Sequence, residues 1–229
     1  MERFLKGQAA VVTGATRGIG RAIAEALLRE GAAVAICGRT QEAVNRAVEE
    51  LARTTGGQVA GRAADVGSAS DVEAFFKFVD AALGALDILV NNAGIGVFRP
   101  MADLTPEEWR QTIDTNLSGA FYCSREALPR FRQRGGGFII NIGSLAGKNA
   151  FASGAAYNAS KFGLNGFTEA MMMDHRYEDV RVCQIAPGSV DTEFRPGSQS
   201  MDWKSTPEDI AEVVLAVLRM PARTLISRV

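Results

Sequence analysis

Short apolar runs alternate along this chain with longer segments in which apolar residues recur every three or four positions. The short runs have the length of buried strands, and the longer segments have the period of amphipathic helices. The pattern predicts strands at residues 9–13, 33–37, 58–64, 87–91, 138–142, 180–186 and 224–229. It predicts helices at residues 21–30, 41–54, 105–134, 154–174 and 207–220, and one that starts at Ser68. Ser68 and Thr206 are the predicted N-caps of two of these helices.

The alternation of strand and helix determines the predicted architecture. Strands joined by helical crossovers run parallel, and strands that are apolar throughout belong to a sheet covered on both faces. The sequence therefore predicts an α/β fold, a doubly wound parallel sheet of about seven strands with helices on both faces. It shows no linker or internal repeat, so residues 1–229 are expected to form a single domain.

Charge and cysteine content exclude several classes of protein. The 25 Lys and Arg nearly balance the 26 Asp and Glu, which argues against an electrostatic nucleic-acid binder. No apolar stretch is long enough to span a membrane, and the N-terminus does not resemble a signal peptide. Cys37, Cys123 and Cys183 form no C-x-x-C pair and are expected to be buried thiols, with no disulfide framework and no metal site. A cytoplasmic location is the expectation.

A glycine-rich turn, residues 13–20, joins the first predicted strand to the first predicted helix. At this position Gly14 allows a tight exit from the strand, Gly18 lets the backbone approach a pyrophosphate, and Gly20 lets the helix pack against the sheet. The helix N-terminus adds free N–H groups and a partial positive charge. The turn therefore predicts a phosphate-binding loop. Its other candidate contacts are Thr16, Arg17 and Ile19.

Tyr157 and Lys161 stand four residues apart in a predicted helix. This spacing places both side chains on one helix face, about 6 Å apart along the axis. Because a neighbouring ammonium favours the phenolate, we expect Lys161 to lower the pKa of Tyr157 from its ordinary value of about 10. Ser144 lies at the end of a predicted strand, where parallel sheets bind ligands. The three side chains predict acid–base chemistry on a substrate oxygen.

Four motifs occur in a fixed order: T-G-x-x-x-G-x-G at residues 13–20, N-N-A-G at 91–94, Y-x-x-x-K at 157–161 and P-G at 187–188. With these motifs the chain resembles the short-chain dehydrogenase/reductase family in its short, single-domain form. The match spans roughly residues 7–215. The resemblance implies a Rossmann fold, a nicotinamide cofactor, and hydride transfer between the cofactor and a carbonyl or alcohol carbon.

The resemblance also implies roles for particular residues. Tyr157 would exchange a proton with the substrate oxygen, Ser144 would hydrogen-bond that oxygen, and Lys161 would bind the nicotinamide ribose. Asn116 would bind a water that links the lysine to solvent. Asp65 would contact the adenine, and Thr192 would hold the carboxamide. The further cofactor contacts it implies are Val66, Asn92, Ala93, Gly94, Pro187, Gly188 and Val190.

The segment after the second predicted strand bears on which cofactor is used. NAD-binding folds usually carry an acidic residue there, which binds the ribose 2′-OH. This chain has Gly38-Arg39-Thr40 instead. Arg39 and Arg17 can bind a 2′-phosphate, and the Thr40 hydroxyl can add a contact. The sequence therefore favours NADP(H) over NAD(H).

The expected substrate is a small-molecule carbonyl or alcohol. The loop that binds it is expected at about residues 189–206, which include Phe194, Pro196, Met201 and Trp203. The leading hypothesis is an NADP(H)-dependent reductase of a ketone or aldehyde, such as a 3-oxoacyl thioester. The alternatives are an NAD-dependent dehydrogenase of a polyol, sugar or other secondary alcohol, and a cofactor-sensing protein without turnover. A homodimer or homotetramer is expected, with contacts through the helices that hold Asn116 and Tyr157.

Overall fold

Six parallel strands form the central sheet of the computed structural model, which describes residues 3–194 and 201–229. The strands are β1 (Ala9–Val12), β2 (Ala33–Gly38), β3 (Val59–Ala63), β4 (Ile88–Asn91), β5 (Gly137–Ile142) and β6 (Val180–Ile185). Their order across the sheet is β3-β2-β1-β4-β5-β6, and every neighbouring pair is parallel. The predicted doubly wound α/β fold is confirmed.

The helices follow the strands in alternation. They are α1 (Gly18–Arg29), α2 (Gln41–Thr55), α3 (Ala69–Leu83), α4 (Pro106–Ile113), α5 (Gly119–Arg134), α6 (Ala155–His175) and α7 (Pro207–Leu218). Both predicted N-caps are present, because the Ser68 hydroxyl accepts from the Asp71 N–H and the Thr206 hydroxyl accepts from the Asp209 N–H. The helix predicted over 105–134 also forms, but a π-helical turn, Asp114–Ser118, joins α4 to α5.

The chain end differs from the predicted seventh strand. Residues near it run beside β6, where Val229 N–H donates to the Gln184 carbonyl over 2.9 Å. Arg228 and Gln184 form an isolated parallel bridge rather than a ladder. The residues from 221 to 227 form no strand because only the last few of them reach β6, so the described sheet has six strands instead of about seven.

Strand side chains alternate between two cores, one on each face of the sheet. Val12, Ile36 and Val90 belong to the core covered by α1, α2 and α7. Val11 and Leu89 belong to the core covered by α3, α5 and α6. This two-sided burial explains why the strands are apolar at every position.

The order of the strands reverses between β1 and β4. From β1 the chain winds outward through β2 and β3, and it then returns to place β4 on the other side of β1. Parallel sheets of this kind leave a crevice outside the carboxyl ends of the strands at such a reversal. The glycine-rich turn follows β1 and residues 92–94 follow β4, so both lie at this crevice.

The structure also bears on the cysteines, on metal-ligating clusters and on membrane-spanning helices. Cys37, Cys123 and Cys183 are all buried free thiols, as predicted. Residues 3–194 and 201–229 hold no cluster of metal-ligating side chains and no helix long and apolar enough to cross a membrane. The helix surfaces expected at a subunit contact carry exposed Phe121 and Phe162. The oligomeric state, the single domain and the location stay predictions.

The capping box at the start of α7 gives a stability prediction. The Thr206 hydroxyl accepts from the Asp209 N–H over 3.2 Å, and the Asp209 carboxylate accepts from the Thr206 N–H over 2.7 Å. Thr206→Ala removes the first bond, so we expect the free energy of unfolding to fall by about 1 kcal/mol in urea denaturation. Thr206→Ser keeps the hydroxyl and should stay within a few tenths of a kcal/mol. An equal loss in both variants would contradict the capping role.

Candidate active site

The glycine-rich turn passes very close to the segment after β4. Gly14 has a φ of +64° and Gly18 a φ of +56°, in the left-handed region that favours glycine. A Cβ built on Gly14 would lie 2.7 Å from the Ala93 Cα, and one on Gly20 would lie 2.7 Å from the Gly14 carbonyl oxygen. Side chains at these two positions would collide with backbone, so the close approach of the two segments requires glycine.

The N-terminus of α1 has no side-chain cap. Its N-cap residue is Arg17, whose side chain makes no cap hydrogen bond, and its first turn carries no acidic residue. In contrast, hydroxyl side chains cap α2, α3, α4 and α7. The first N–H groups of α1 are therefore left for another acceptor, and a helix N-terminus beside a glycine turn is suited to a phosphate.

Hydrogen bonds between Thr13 and Asn92 join the ends of β1 and β4. The Thr13 hydroxyl accepts from the backbone N–H groups of Asn92 and Ala93 at 3.1 and 3.0 Å. The Asn92 amide donates to the carbonyls of Thr13 and Gly14 at 2.9 and 3.1 Å. We call this set the β1–β4 clasp. It fixes the two segments that border the crevice.

The residues expected at the adenosine end of a dinucleotide surround the ends of β2 and β3. Thr16 lies against the end of β2, because a Cβ on Gly38 would come within 2.6 Å of its Cγ2. Arg39 is exposed next to Gly38 and has no ion-pair partner within the described part of the chain. The Thr40 hydroxyl caps α2, accepting from the Ala43 N–H over 3.4 Å. Arg17 is exposed and pairs with Glu193 over 3.1 Å.

The two residues after β3 have different surroundings. Asp65 is exposed, and its carboxylate accepts from the Gly67 N–H over 2.9 Å. Val66 is buried against the start of α5, where a Cβ on Gly119 would lie 2.8 Å from the Val66 Cγ2. Asp65 is thus available to a ligand at the end of β3, while Val66 mainly packs the loop onto α5.

Lys161 lies buried on α6, beneath the end of β5. Its ammonium donates to the Ile142 carbonyl over 2.9 Å, and its Nζ lies 5.8 Å from the centre of the Tyr157 ring. Burial lowers the pKa of Lys161 to about 8. The spacing of four residues therefore brings the two side chains together as predicted, with a lysine that loses its charge far more readily than one in water.

The pKa of Tyr157 shifts in the direction opposite to the sequence prediction. Burial raises it above its ordinary value, and a hydrogen bond with Ser144 offsets part of that rise. The ammonium of Lys161 favours the phenolate, but the apolar surroundings penalise the phenolate more strongly. The phenol is therefore held in its protonated form, ready to donate a proton.

Ser144 is held beside Tyr157 by the loop that links β5 to α6. Its hydroxyl accepts from the Ala146 N–H over 3.1 Å, which leaves its proton free to point elsewhere. Asn158, buried next to Tyr157 on α6, donates to the Ala146 carbonyl over 2.7 Å. The same loop is thus fastened to the helix that carries Tyr157 and Lys161, so the three groups have a fixed arrangement.

Asn116 is a buried residue of the π-helical turn. Its amide donates to the Ile95 carbonyl over 2.9 Å and to the Ser160 hydroxyl over 3.0 Å, and its Oδ1 accepts from the Ile95 N–H over 2.8 Å. The side chain therefore connects the loop after β4 to α6. A Cβ on Gly94 would lie 3.4 Å from the Asn116 Oδ1, so this contact is close to the crevice. The predicted role in holding a water stays a prediction.

The segment after β6 crosses in front of the crevice. Pro187 accepts from the Leu145 N–H over 3.0 Å, and a Cβ on Gly188 would lie 3.4 Å from the Leu145 Cδ1. Val190 pairs with Ser205 in an isolated bridge. Thr192 lies across the glycine turn, because a Cβ on Gly18 would come within 3.6 Å of its Cγ2. Pro196 lies outside the described residues.

The structure thus brings all the predicted site residues to the carboxyl edge of one sheet. It also gives positions to residues outside the predicted set: Thr13 and Asn158 by their hydrogen bonds, and Phe98 and Phe151, which the sequence favours as core residues over pocket residues, by their contact with Tyr157. Thr13 and Asn158 stand inside the quoted motifs, which was the available signal. No sequence signal distinguishes the phenylalanines from core residues.

The carboxyl edge of the sheet is suited to a dinucleotide because the glycine-rich turn leaves space there and the N-terminus of α1 is uncapped. The residues that would hold it are those of the glycine turn, Asp65, residues 92–94 and Thr192, with Lys161 toward the catalytic end. When bound, a nicotinamide ring supplies a hydride to a carbonyl carbon or removes one from an alcohol carbon. Tyr157 and Ser144 would then supply the hydrogen-bonding and proton-donating groups for the oxygen.

Comparison with known proteins agrees with this geometry. A family profile described as short chain dehydrogenase matches residues 8–203. A 3alpha-hydroxysteroid dehydrogenase of Mediterraneibacter gnavus is 36% identical over 195 residues, which cover 85% of this chain and 78% of that protein. A 3beta-hydroxysteroid dehydrogenase of the same organism is 40% identical over 205 residues, covering 88% of this chain and 72% of that protein.

Solved structures show the same likeness over the whole chain. A metagenomic short-chain oxidoreductase in complex with NADP is 40% identical, with a TM-score of 0.86 and coverage of 98% of this chain and 96% of that chain. An alcohol dehydrogenase from Thermococcus sibiricus complexed with 5-hydroxy-NADP is 32% identical, with a TM-score of 0.90 and coverage of 97% and 94%. The profile match, the relatives and the crevice together show that this chain belongs to the short-chain dehydrogenase/reductase family.

Proposed function

We propose that this enzyme is an NADP(H)-dependent reductase of ketones, one that interconverts a carbonyl and the corresponding alcohol. The family and the dehydrogenases among its relatives support an oxidoreductase acting on CH–OH donors. The observation that carries the proposal is the arrangement of Ser144, Tyr157 and Lys161 at the end of β5, facing a crevice suited to a dinucleotide.

The charges at the end of β2 support NADP(H) as the cofactor. Arg39 is exposed beside the N-terminus of α2, and no acidic residue stands between β2 and Thr40. A guanidinium at this position favours a 2′-phosphate over a bare ribose hydroxyl. Arg17 pairs with the exposed Glu193, and because exposed ion pairs are weak, a phosphate can compete for it. Two structurally similar proteins were solved with NADP or 5-hydroxy-NADP.

The side chains of this site divide the work of reduction. Ser144 hydrogen-bonds the substrate oxygen, and Tyr157 donates its phenolic proton to that oxygen as the carbonyl carbon gains a hydride, so that the product is a neutral alcohol. Lys161 places a positive charge beneath Tyr157 and stabilises the phenolate that remains. In the oxidative direction the phenolate takes the alcohol proton back. The hydrogen bonds of Asn116 hold α6 and the loop after β4 in a fixed relative position.

The alternative of NAD-dependent oxidation of a polyol or sugar has less support. It would be favoured by an acidic residue after β2, where this chain has Arg39. A polyol also needs several polar partners, whereas three phenylalanine rings pack against the Tyr157 ring. The identity of the natural ketone, including the 3-oxoacyl thioester considered from the sequence, is not determined by these residues.

Tyr157→Phe tests whether Tyr157 is the proton donor. The variant keeps the ring and its packing but loses the hydroxyl, so kcat for ketone reduction should fall by about 100-fold or more. NADPH binding should stay within about threefold, because the hydroxyl is proposed to act on the substrate. Steady-state rates and fluorescence titration of NADPH measure the two quantities. A variant that keeps most of its turnover would contradict the proposed role and would favour a cofactor sensor.

Arg39→Asp tests the cofactor preference. The substitution removes a charge that would attract the 2′-phosphate and supplies a carboxylate that can accept from a ribose 2′-OH. We expect the Kd for NADPH to rise by at least about tenfold and the Kd for NADH to fall. Arg53→Asp makes the same charge change on α2, away from the end of β2, and serves as the control. Unchanged NADPH affinity in Arg39→Asp would contradict the assignment.

The pH dependence of reduction follows from the two pKa shifts. Reduction needs Tyr157 protonated, and burial keeps it so through neutral pH. Burial also lowers the pKa of Lys161 to about 8, so the ammonium that stabilises the phenolate is lost above that pH. We expect kcat/KM for reduction to be flat below about pH 8 and to fall above it. A decline that is complete by neutral pH would contradict this account.

A further inference from the structure

Three phenylalanine rings surround Tyr157, and each comes from a different loop at the carboxyl edge of the sheet. Their ring centres lie 5.6 Å from the Tyr157 ring for Phe98, 6.4 Å for Phe151 and 5.7 Å for Phe194. Phe98 follows β4, Phe151 follows β5 and Phe194 follows β6. We call Phe98, Phe151 and Phe194 the aromatic wall. It places apolar surface beside the ring that carries the hydroxyl proposed to react.

The aromatic wall is a connected cluster. The Phe98 ring lies 5.8 Å from that of Phe151 and 6.4 Å from that of Phe194, in tilted and edge-on arrangements. Aromatic rings attract one another in these geometries. Phe98 therefore joins the other two rings, and the wall keeps its shape even though its members are far apart in sequence.

Two glycines leave the space that the rings occupy. A Cβ on Gly96 would lie 2.6 Å from the Phe98 Cζ and 2.8 Å from the Phe194 Cε1. A Cβ on Gly154 would lie 2.7 Å from the Phe151 Cε2. Each ring thus rests directly on backbone at a position with no side chain. This close seating fixes where the rings stand relative to Tyr157.

The side chains of the aromatic wall are partly exposed to solvent, unlike those of a core cluster. Phe151 is 43% exposed and Phe194 is 40% exposed, and Leu145, next to Ser144, is 50% exposed. Large apolar side chains left exposed together around a reacting group indicate a ligand surface. The proton transfer uses none of these side chains, so their contribution must be to the part of the substrate that does not react.

The chemistry of the wall restricts what that part can be. Aromatic faces and edges attract flat rings, whereas a hydroxyl or carboxylate pressed against them loses water without gaining a hydrogen bond. We propose that the aromatic wall selects ketones and secondary alcohols whose oxygen-bearing carbon lies in a ring that is fused to an aromatic ring. This inference rests on the proposed reductase function, and it makes Phe98, Phe151 and Phe194 specificity-determining residues.

A panel of four carbonyl compounds with NADPH tests the proposal in the full-length enzyme. 2-Tetralone carries a fused aromatic ring, and 2-decalone has the same carbon skeleton fully saturated. Dihydroxyacetone represents the polyols and acetoacetyl-coenzyme A the 3-oxoacyl thioesters. We expect kcat/KM to be at least about fivefold higher for 2-tetralone than for 2-decalone, since edge and face contacts between rings add to simple burial. The other two compounds should be the poorest substrates.

Phe151→Leu and Phe194→Leu identify the residues responsible. Leucine keeps an apolar side chain but has no ring, so each variant should bring the ratio of 2-tetralone to 2-decalone toward one, mainly through KM. Tyr177→Leu removes a ring that is 85% exposed and does not contact the wall, and it should leave the ratio unchanged. NADPH affinity and the melting temperature, measured for every variant, separate a loss of specificity from a loss of folding.

The outcomes distinguish the proposal from the function on which it rests. A wild-type enzyme that reduces none of the four carbonyls with NADPH would overturn the proposed reductase. An enzyme that reduces them with a ratio near one, or that prefers dihydroxyacetone or acetoacetyl-coenzyme A, would leave the reductase standing and overturn the role of the aromatic wall. A preference for 2-tetralone that survives in both leucine variants would also overturn it. Should a variant fail to fold, the wild-type ratio decides.

Discussion

The close approach of two chain segments at the β1–β4 clasp is the constraint on which the rest of the site depends. Gly14 can lie against Ala93 only because it has no side chain. The hydrogen bonds between Thr13 and Asn92 then fix the distance between the ends of the two strands. The clasp thereby places the uncapped N-terminus of α1 on one side of the crevice. The part of α6 that carries Tyr157 and Lys161 lies on the other side.

Burial at the catalytic end has a cost in stability and a use in chemistry. Lys161 is an ionisable group inside the protein whose one hydrogen bond in the described structure goes to a backbone carbonyl. Desolvation lowers its pKa to about 8 and raises that of Tyr157. At neutral pH the phenol therefore stays protonated, while Lys161 still carries most of its positive charge beneath it. Strongly shifted groups in a crevice are typical of sites under functional demand.

Periodicity and local chemistry predicted most of the fold. The continuous apolar runs predicted strands covered on both faces, and the hydroxyls of Ser68 and Thr206 marked helix starts that the structure contains. The features that were missed depend on tertiary contact. The π-helical turn at Asn116 accompanies side-chain bonds to Ile95 and Ser160, which the sequence does not show. The pKa direction of Tyr157 depends on burial by rings from three distant loops, and the seventh strand lacked a partner along most of its length.

The path of the hydride is the most direct test of the central claim. With NADPH deuterated at C4 on one face and then the other, the reduction of 2-tetralone can be followed by NMR of the alcohol. The account predicts that deuterium from one of the two labels, and only one, appears on the carbinol carbon, because a fixed crevice presents one face of the ring while the oxygen takes its proton from Tyr157. Deuterium lost to water, or delivered equally from both labels, would contradict it.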